Sequence, residues 1–138
     1  MIHVAVVGDE EKYREQLSEF LSRYGKEKGI SIQTRIYCDG IDILDEYAGQ
    51  FEVILLDIRM KHIDGMEAAR KIREKDKEVI IIFITNMAQY AIRGYAVDAL
   101  DYVLKPVSYF AFSQRLNRAI SRMKKRKTKI IMVNMKGG

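Results

Sequence analysis

Apolar runs of strand length alternate along this chain with stretches in which apolar residues recur at helical spacing. The predicted strands are residues 2–7, 31–37, 51–57, 78–85 and 102–104. The runs at 53–56 and 79–84 contain no polar residue, as expected of strands covered on both faces of a parallel sheet. The apolar run of the third strand ends in a carboxylate, Asp57.

Helical periodicity marks the segments between these runs. The predicted helices cover roughly residues 11–24, 40–48, 66–75, 88–95 and 109–123. Gly25 or Gly29 would end the first helix, and Asp39 can cap the second, which Gly49 closes. Ser108 can cap the last helix.

Strand and helix alternate five times, an order that implies a parallel sheet with helices on both faces and right-handed crossovers. The predicted fold class is therefore α/β, a doubly wound five-stranded parallel sheet. The strands at 53–56 and 79–84 would lie at its centre. A chain of 138 residues suggests one domain with a substantial core.

Charge is distributed unevenly along the chain. The net charge is +5, but residues 122–138 contain seven basic residues and no acid. Residues 1–121 keep 17 basic and 19 acidic residues, a net of −2. The globular part therefore does not favour nucleic-acid binding by its own surface, and any such argument starts from the basic run.

Composition favours a cytoplasmic protein without membrane contact. No window approaches the roughly 20 apolar residues of a membrane span, and no basic region precedes an apolar signal core. The single Cys38 cannot form an internal disulfide, which fits a reducing compartment. Cys38, His3 and His62 lack metal-ligand spacing and are interpreted as structural or solvated.

Polar residues follow the predicted strands at the edge where open α/β sheets place their ligands. Residues 8–10 (Gly-Asp-Glu) follow the first strand, Asp57 the third, Thr85 ends the fourth and Lys105 follows the fifth. Carboxylates bind Mg²⁺, while a lysine and a threonine can hold phosphoryl oxygens. Together they favour a site for a divalent cation and a phosphoryl group on an aspartate nucleophile.

Each of these residues also has an ordinary structural interpretation. Asp57 can cap the turn after its strand, and Asp9 can cap the first helix. Thr85 can simply end a strand, and Lys105 can be a solvated surface cation. The conjunction of all four, rather than any one, carries the functional hypothesis.

With these residues, the chain resembles the receiver domain of two-component response regulators over about residues 1–125. The matching motifs are VVGDE at 6–10, LLDIRMKHIDG at 55–65, IFIT at 82–85 and DYVLKP at 101–106. The resemblance implies the (βα)5 flavodoxin-like receiver fold with strand order 2-1-3-4-5. It also implies a receiver that catalyses only its own phosphorylation and slow autodephosphorylation and is not an enzyme.

The resemblance assigns the metal and phosphoacceptor roles. Asp57 would be phosphorylated by a histidine kinase, with Mg²⁺ as cofactor. Asp57, Asp9 and the backbone carbonyl of Arg59 would be the metal ligands. The family usually has two adjacent acids after the first strand, and Gly8 stands where the first is expected. We expect weaker Mg²⁺ binding but retained phosphorylation, with Glu10 as a compensating acid.

The same resemblance assigns a switch. Thr85 and Lys105 would bind the phosphoryl group, and Tyr102 would be the aromatic residue that turns inward when Thr85 moves. The bond between Lys105 and Pro106 would be cis. The face of residues 88–118 would then change shape and favour a homodimer.

Residues 88–120 resemble receivers of the LytTR (LytR/AlgR) type, in which a DNA-binding domain follows the receiver. The predicted receiver is 1–123, and 124–138 would be a basic linker and the start of a truncated LytTR-type domain, with its first strand at 130–138. A solvated helix end is the other interpretation of this segment. DNA would be bound only through that missing domain.

Four aromatic residues are candidates for the exposed contacts of the 88–118 face, although any of them could belong to the core. They are Tyr90, Tyr95, Tyr109 and Phe110.

An alternative function is a receiver-like binding module that works without phosphorylation, which Gly8 keeps open. A phosphohydrolase is disfavoured, because the position two after Asp57 is Arg59, which cannot act as a general acid near neutral pH.

Overall fold

The structure is a computed structural model that describes the backbone of residues 1–137 and the side chains of residues 1–126. Its strands are β1 (Ile2–Val7), β2 (Ile32–Tyr37), β3 (Val53–Leu56), β4 (Ile80–Thr85) and β5 (Asp101–Leu104). Its α-helices are α1 (Glu11–Lys28), α2 (Gly40–Glu46), α3 (Gly65–Lys75) and α4 (Tyr109–Gly137). A 3-10 helix, Ala88–Val97, connects β4 to β5.

The five strands form one parallel sheet in the order β2-β1-β3-β4-β5, which confirms the predicted topology. β3 and β4 are buried along their whole length, as their unbroken apolar sequences predict. The carboxyl ends of β1, β3, β4 and β5 therefore meet at one edge of the sheet.

Alternate side chains of each strand enter two separate cores. In β3, Val53 and Leu55 pack under α1 and α4, whereas Ile54 and Leu56 pack under α2 and α3. This follows from the two-residue period of a strand, which sends successive side chains to opposite faces. Both faces of the sheet are covered, so the residue after Leu56 lies at the edge of the sheet, between two helical layers.

The helix ends show which of the predicted stop signals act. Gly29, with φ 64°, ends α1 in the left-handed region that glycine favours, whereas Gly25 lies within the helix. Asp39 caps α2 by accepting a hydrogen bond from the Ile41 amide at 3.0 Å. Ser108 caps α4 through its hydroxyl in the same way, as predicted.

The segment after β4 differs from the predicted α-helix at 88–95, because it is a 3-10 helix. It ends at Asp98, whose φ is 52°. Arg73 of α3 holds this end by donating to the carbonyl oxygens of Val97 at 2.6 Å and Asp98 at 3.1 Å. Gly94 lies inside the segment and weakens an α-helix there. Arg73 therefore holds the C-terminal end of the 3-10 helix.

Helix α4 continues to Gly137, so the backbone of 130–137 is helical, as the helix-end interpretation predicts, and is not the strand considered at 130–138. A strand needs neighbours to pair its backbone groups, and within the described residues no strand pairs with this segment. Gly138 lies outside the described residues. The proposed domain boundary after residue 123 stays a prediction. Among the described residues, no helix is long and apolar enough to cross a membrane.

Candidate functional site

Asp57 lies at the carboxyl end of β3 and is only 2% exposed. Its Oδ1 accepts a hydrogen bond from the Ile58 amide at 2.7 Å, and its Oδ2 lies 2.6 Å from Lys105 Nζ. The next helix, α3, is capped by Asp64. Asp57 therefore caps no helix, and its buried carboxylate is held at the sheet edge by a cation and a backbone donor.

Lys105 reaches this carboxylate from the end of β5. Its amide donates to the Thr85 carbonyl at 2.8 Å, which fixes its backbone beside β4. Its ammonium also lies 3.6 Å from Glu10 Oε1 and 4.4 Å from the centre of the Tyr13 ring. With a side chain 21% exposed, Lys105 is no freely solvated cation. The bond from Lys105 to Pro106 is cis.

Thr85, the last residue of β4, is fully buried. Its hydroxyl oxygen accepts a hydrogen bond from the Met87 amide at 3.2 Å. The carbonyl of the same Met87 accepts a hydrogen bond from the Tyr102 hydroxyl. The Tyr102 ring packs on Phe83 with the centroids 5.6 Å apart. Burial, and then the charge of Asp57, raise the pKa of the Tyr102 hydroxyl. Thr85 and Tyr102 are thus connected through a single residue.

The loop after Asp57 returns closely over the site. The Gly65 amide donates to the Ile58 carbonyl at 2.7 Å, and a side chain at Gly65 would collide with the Asp57 carbonyl. A residue without Cβ is needed for this close approach. The Asp-Gly pair at 64–65 therefore has two roles, since the glycine allows the loop to close and the aspartate caps the start of α3.

The acidic residues after β1 lie at the mouth of the site. Asp9 and Glu10 are exposed, whereas Gly8 is buried. Within the described residues, no three histidine, cysteine or acidic side chains are arranged to hold a metal ion. The donor chemistry still fits Mg²⁺, which takes a few carboxylate oxygens and retains several waters. Asp57, Asp9 and Glu10 could supply those oxygens, one carboxylate fewer than an acid at Gly8 would give.

Sequence comparison decides the family of this site. The family model described as "Response regulator receiver domain" matches residues 4–117. The chain belongs to this receiver family. Receivers bind Mg²⁺ at the phosphorylation site, and the structure of the Thermotoga maritima response regulator TrrA is described as a complex with Mg(2+)-BeF. That structure is 31% identical, with a TM-score of 0.71, and the alignment covers 86% of this chain and 99% of TrrA.

Curated relatives share the LytT name. A sensory transduction protein LytT of Oceanobacillus iheyensis is 35% identical, over 97% of this chain and 56% of its own length. The LytT protein of Bacillus cereus is 32% identical over 92% of this chain and 49% of its own. These relatives support the resemblance to LytTR-type regulators. The chain spans about half the length of the curated relatives it matches.

The residues predicted for the receiver site are found at the same edge of the sheet, with different degrees of contact. Asp57 and Lys105 are in direct contact, and Thr85 adjoins Lys105 through the backbone. Asp9 and Arg59, which follow β1 and β3 in sequence, are exposed. Their proposed roles as metal ligands, the Arg59 carbonyl included, stay predictions.

Tyr13 is the site residue that the sequence reasoning missed. Its helical spacing placed it on the inner face of α1, and it is indeed buried there, 5% exposed. It also contacts Lys105, and burial, followed by the charge of Asp57, raises the pKa of its hydroxyl. The available signal was its place in the first turn of α1, four residues after Asp9.

The 88–118 face exposes several large apolar side chains. The most exposed are Tyr95 at 86%, Ile92 at 82% and Phe110 at 73%. Tyr109 does not belong with them, because its ring packs on Phe20 of α1 at a centroid distance of 5.4 Å. Tyr90 is partly buried against the core beneath α2 and α3. Of the four aromatic residues considered, only Tyr95 and Phe110 are largely free of the core.

The two histidines have structural partners, and the cysteine is solvated. His3 lies 3.3 Å from Glu52, and His62 lies 3.5 Å from Asp39. Burial acts to raise the pKa of Asp39, but hydrogen bonds from backbone amides and the nearby His62 lower it overall. Cys38 is exposed and free. These contacts agree with structural or solvated roles.

Proposed function

We propose that this receiver accepts a phosphoryl group from a histidine kinase onto Asp57, with Mg²⁺ as cofactor. The observation that carries the proposal is the buried Asp57 carboxylate, paired with Lys105 at 2.6 Å beside the fully buried Thr85. A buried ion pair is costly to build and is not needed for a stable core. Its position where parallel strands end favours a chemical role over a structural one.

Transfer would proceed by attack of the Asp57 carboxylate on phosphorus. A carboxylate oxygen forms the new bond to phosphorus as the bond to the donor histidine nitrogen breaks, and the imidazole leaves with the electron pair. Bound Mg²⁺, held by Asp57, Asp9 and the Arg59 carbonyl with Glu10 nearby, would offset the repulsion between carboxylate and phosphoryl group. Lys105 already neutralises the attacking group and would follow the phosphoryl oxygens after transfer.

Met87 would transmit the structural effect of phosphorylation from Thr85 to Tyr102. The phosphoryl group brings up to two negative charges and three acceptor oxygens close to Thr85. If the Thr85 side chain rotates to bring its hydroxyl to one of them, the oxygen moves away from the Met87 amide, which loses its acceptor. The Tyr102 hydroxyl is bonded to the carbonyl of that same residue. A movement of Thr85 is thereby linked to Tyr102 and to the surface formed by the 3-10 helix and α4.

The output of this switch would be a homodimer through the 88–118 face. The exposed side chains of Ile92, Tyr95 and Phe110 supply apolar surface for such a contact. The LytT relatives, which are about twice as long, support a DNA-binding domain following the receiver in the complete protein. DNA would be bound by that domain alone, and the protein would act in the cytoplasm without membrane contact.

This receiver would promote only its own phosphorylation and slow dephosphorylation. A second candidate function is a receiver-like module that works without phosphorylation. It is favoured by one observation, the replacement of an acid by Gly8 in the metal site. Under that alternative, Asp57 and Lys105 would remain a permanent ion pair.

Intact-mass analysis after incubation with acetyl phosphate and Mg²⁺ separates the two candidates. The proposal expects wild type to gain the mass of one phosphoryl group, and Asp57→Ala to gain none. Size-exclusion chromatography of the same samples tests the dimer. A wild-type protein that stays unmodified at saturating donor and Mg²⁺ would establish the phosphorylation-independent module instead.

A further inference from the structure

The Tyr13 ring fills the space, beside the phosphoacceptor, that a side chain at Gly8 would need. A Cβ atom at Gly8 would lie 2.5 Å from Cε1 and 2.6 Å from Cδ1 of the Tyr13 ring. Real Cβ atoms essentially never approach another atom so closely, so a side chain at position 8 would require this ring to move. The ring is 5% exposed, and its packing beneath α1 opposes that movement.

The Tyr13 ring also contacts the cation of the site. Lys105 Nζ lies 4.4 Å from the ring centre, within the range of a cation–π interaction, while it pairs with Asp57 at 2.6 Å. The ring therefore forms one wall for the ammonium, and the carboxylate forms another. An acid at position 8 would compete with Asp57 for that ammonium or would bind a metal ion, whereas the uncharged ring contacts the ammonium without supplying a carboxylate.

The hydroxyl of Tyr13 makes no hydrogen bond within the described residues, so any role of this residue at the site lies with its ring. That hydroxyl is also buried. An unpaired buried hydroxyl is unfavourable, and a purely apolar side chain would fill the core beneath α1 without that cost. What distinguishes the residue is the flat aromatic face that it presents to Lys105.

We propose that Tyr13 is a positioning residue that takes the place of the acid missing at Gly8. Its ring excludes a carboxylate from position 8 and holds Lys105 against Asp57. The Gly8–Tyr13 pair thereby sets a low affinity for divalent cations and favours a site in which lysine neutralises the phosphoacceptor. The inference deepens the proposed function and rests on it for its biological meaning.

The test is a set of Mg²⁺ titrations followed by amide chemical shifts in NMR, without any phosphoryl donor. Compared are wild type, Gly8→Asp, Tyr13→Ala, the double variant Gly8→Asp/Tyr13→Ala, and Tyr13→Phe. The double variant should bind Mg²⁺ roughly tenfold more tightly than the two single variants predict when their effects are added, a coupling within the range seen for contacting residues. Gly8→Asp alone should gain much less, because its side chain meets the Tyr13 ring.

Tyr13→Phe is the conservative control, because it keeps the ring and removes only the hydroxyl. The side-chain methylene protons of Lys105 should be shifted by the ring current in wild type and in Tyr13→Phe, and should lose that shift in Tyr13→Ala. A residue that only fills the core would not produce this pattern. Melting curves of all variants identify any that fail to fold.

Two results would overturn the inference. One is a Gly8→Asp single variant that binds Mg²⁺ as tightly as the double variant, and the other is a Lys105 shift that Tyr13→Ala leaves unchanged. If Gly8→Asp alone does not fold, the comparison of Tyr13→Ala with the double variant carries the test, and equal Mg²⁺ affinity refutes it. Since no donor is present, failure of Asp57 to be phosphorylated leaves these outcomes readable.

Discussion

Replacing Lys105 by methionine should destabilise the folded protein by leaving the Asp57 carboxylate without its cation. The Asp57 side chain is 3% exposed and the Lys105 side chain 21%. The Ile58 amide would be its remaining hydrogen-bond donor among the described contacts. Breaking a fully buried pair costs about 3–5 kcal/mol, and a hydrogen bond to a charged group contributes about 1.5–3 kcal/mol. Because Lys105 is partly solvated, we expect about 2 kcal/mol.

Urea unfolding followed by far-ultraviolet circular dichroism measures this loss. With an m value of about 2 kcal/mol/M, the midpoint should fall by roughly 1 M urea without a change in m. Arg35→Met is the matched control, because the Arg35–Glu46 pair is short, at 2.9 Å, but has side chains 60% and 48% exposed. Such an exposed pair contributes about 0.5 kcal/mol or less.

A double variant, Lys105→Met with Asp57→Asn, completes the cycle. Removing the second charge should restore much of the stability, because no buried carboxylate then remains unpaired. The reasoning would be refuted if Lys105→Met lost no more stability than Arg35→Met. It would also be refuted if the Lys105 and Asp57 substitutions were simply additive.

Three further predictions concern the switch, the loop and the acid stability. Tyr102→Ala should still gain the mass of one phosphoryl group in intact-mass analysis. It should no longer dimerise on phosphorylation in size-exclusion chromatography, because the link from Thr85 through Met87 is cut, and normal dimerisation would remove its switch role. Gly65→Ala should lower the melting temperature sharply, since its Cβ would strike the Asp57 backbone, and an unchanged melting curve would contradict the described loop. Burial acts to raise the pKa of Asp76, but hydrogen bonds from the Tyr47 hydroxyl and two amides lower it overall. The ionised Asp76 therefore stabilises the fold above the unfolded pKa of about 3.9, and this contribution is lost as pH falls through the lower folded value. Urea midpoints measured from pH 6 down to acid should therefore fall less steeply for Asp76→Asn than for wild type, and parallel curves would speak against it.

Much of the fold followed from local patterns that tertiary contacts did not override. The apolar runs of β3 and β4 predicted central strands, and both are buried throughout. The resemblance supplied the strand order, which the alternation of strand and helix alone does not specify. Asp39 was identified as a cap because its short carboxylate can reach an amide two residues on.

The failures arose where the outcome depended on distant residues. Periodicity could not choose between Gly25 and Gly29, because the stop depends on which of them adopts the left-handed conformation. The 3-10 helix after β4 is held by Arg73, which lies on another element. The sequence leaves open whether Tyr109 is a surface or a core residue, and only the structure shows that its ring packs against α1.

The candidate site was predicted in its residues but not in its contacts. Strand ends placed Asp57, Thr85 and Lys105 together, since the topology alone brings them to one edge. The role of Tyr13 could not be predicted, because helical spacing describes only which face is buried and not what the buried ring touches. The contact between Tyr13 and Gly8 is visible only once α1 is packed on the sheet.

Borohydride trapping tests the central claim most directly. Wild type is incubated with acetyl phosphate and Mg²⁺, reduced, digested and analysed by mass spectrometry, because reduction of an acyl phosphate converts aspartate to homoserine. We expect homoserine at position 57 in wild type, none after chelation of Mg²⁺, and none at any position in Asp57→Ala. Aspartate remaining at position 57, or homoserine at another acid such as Asp9, would contradict the proposal that Asp57 is the phosphoacceptor.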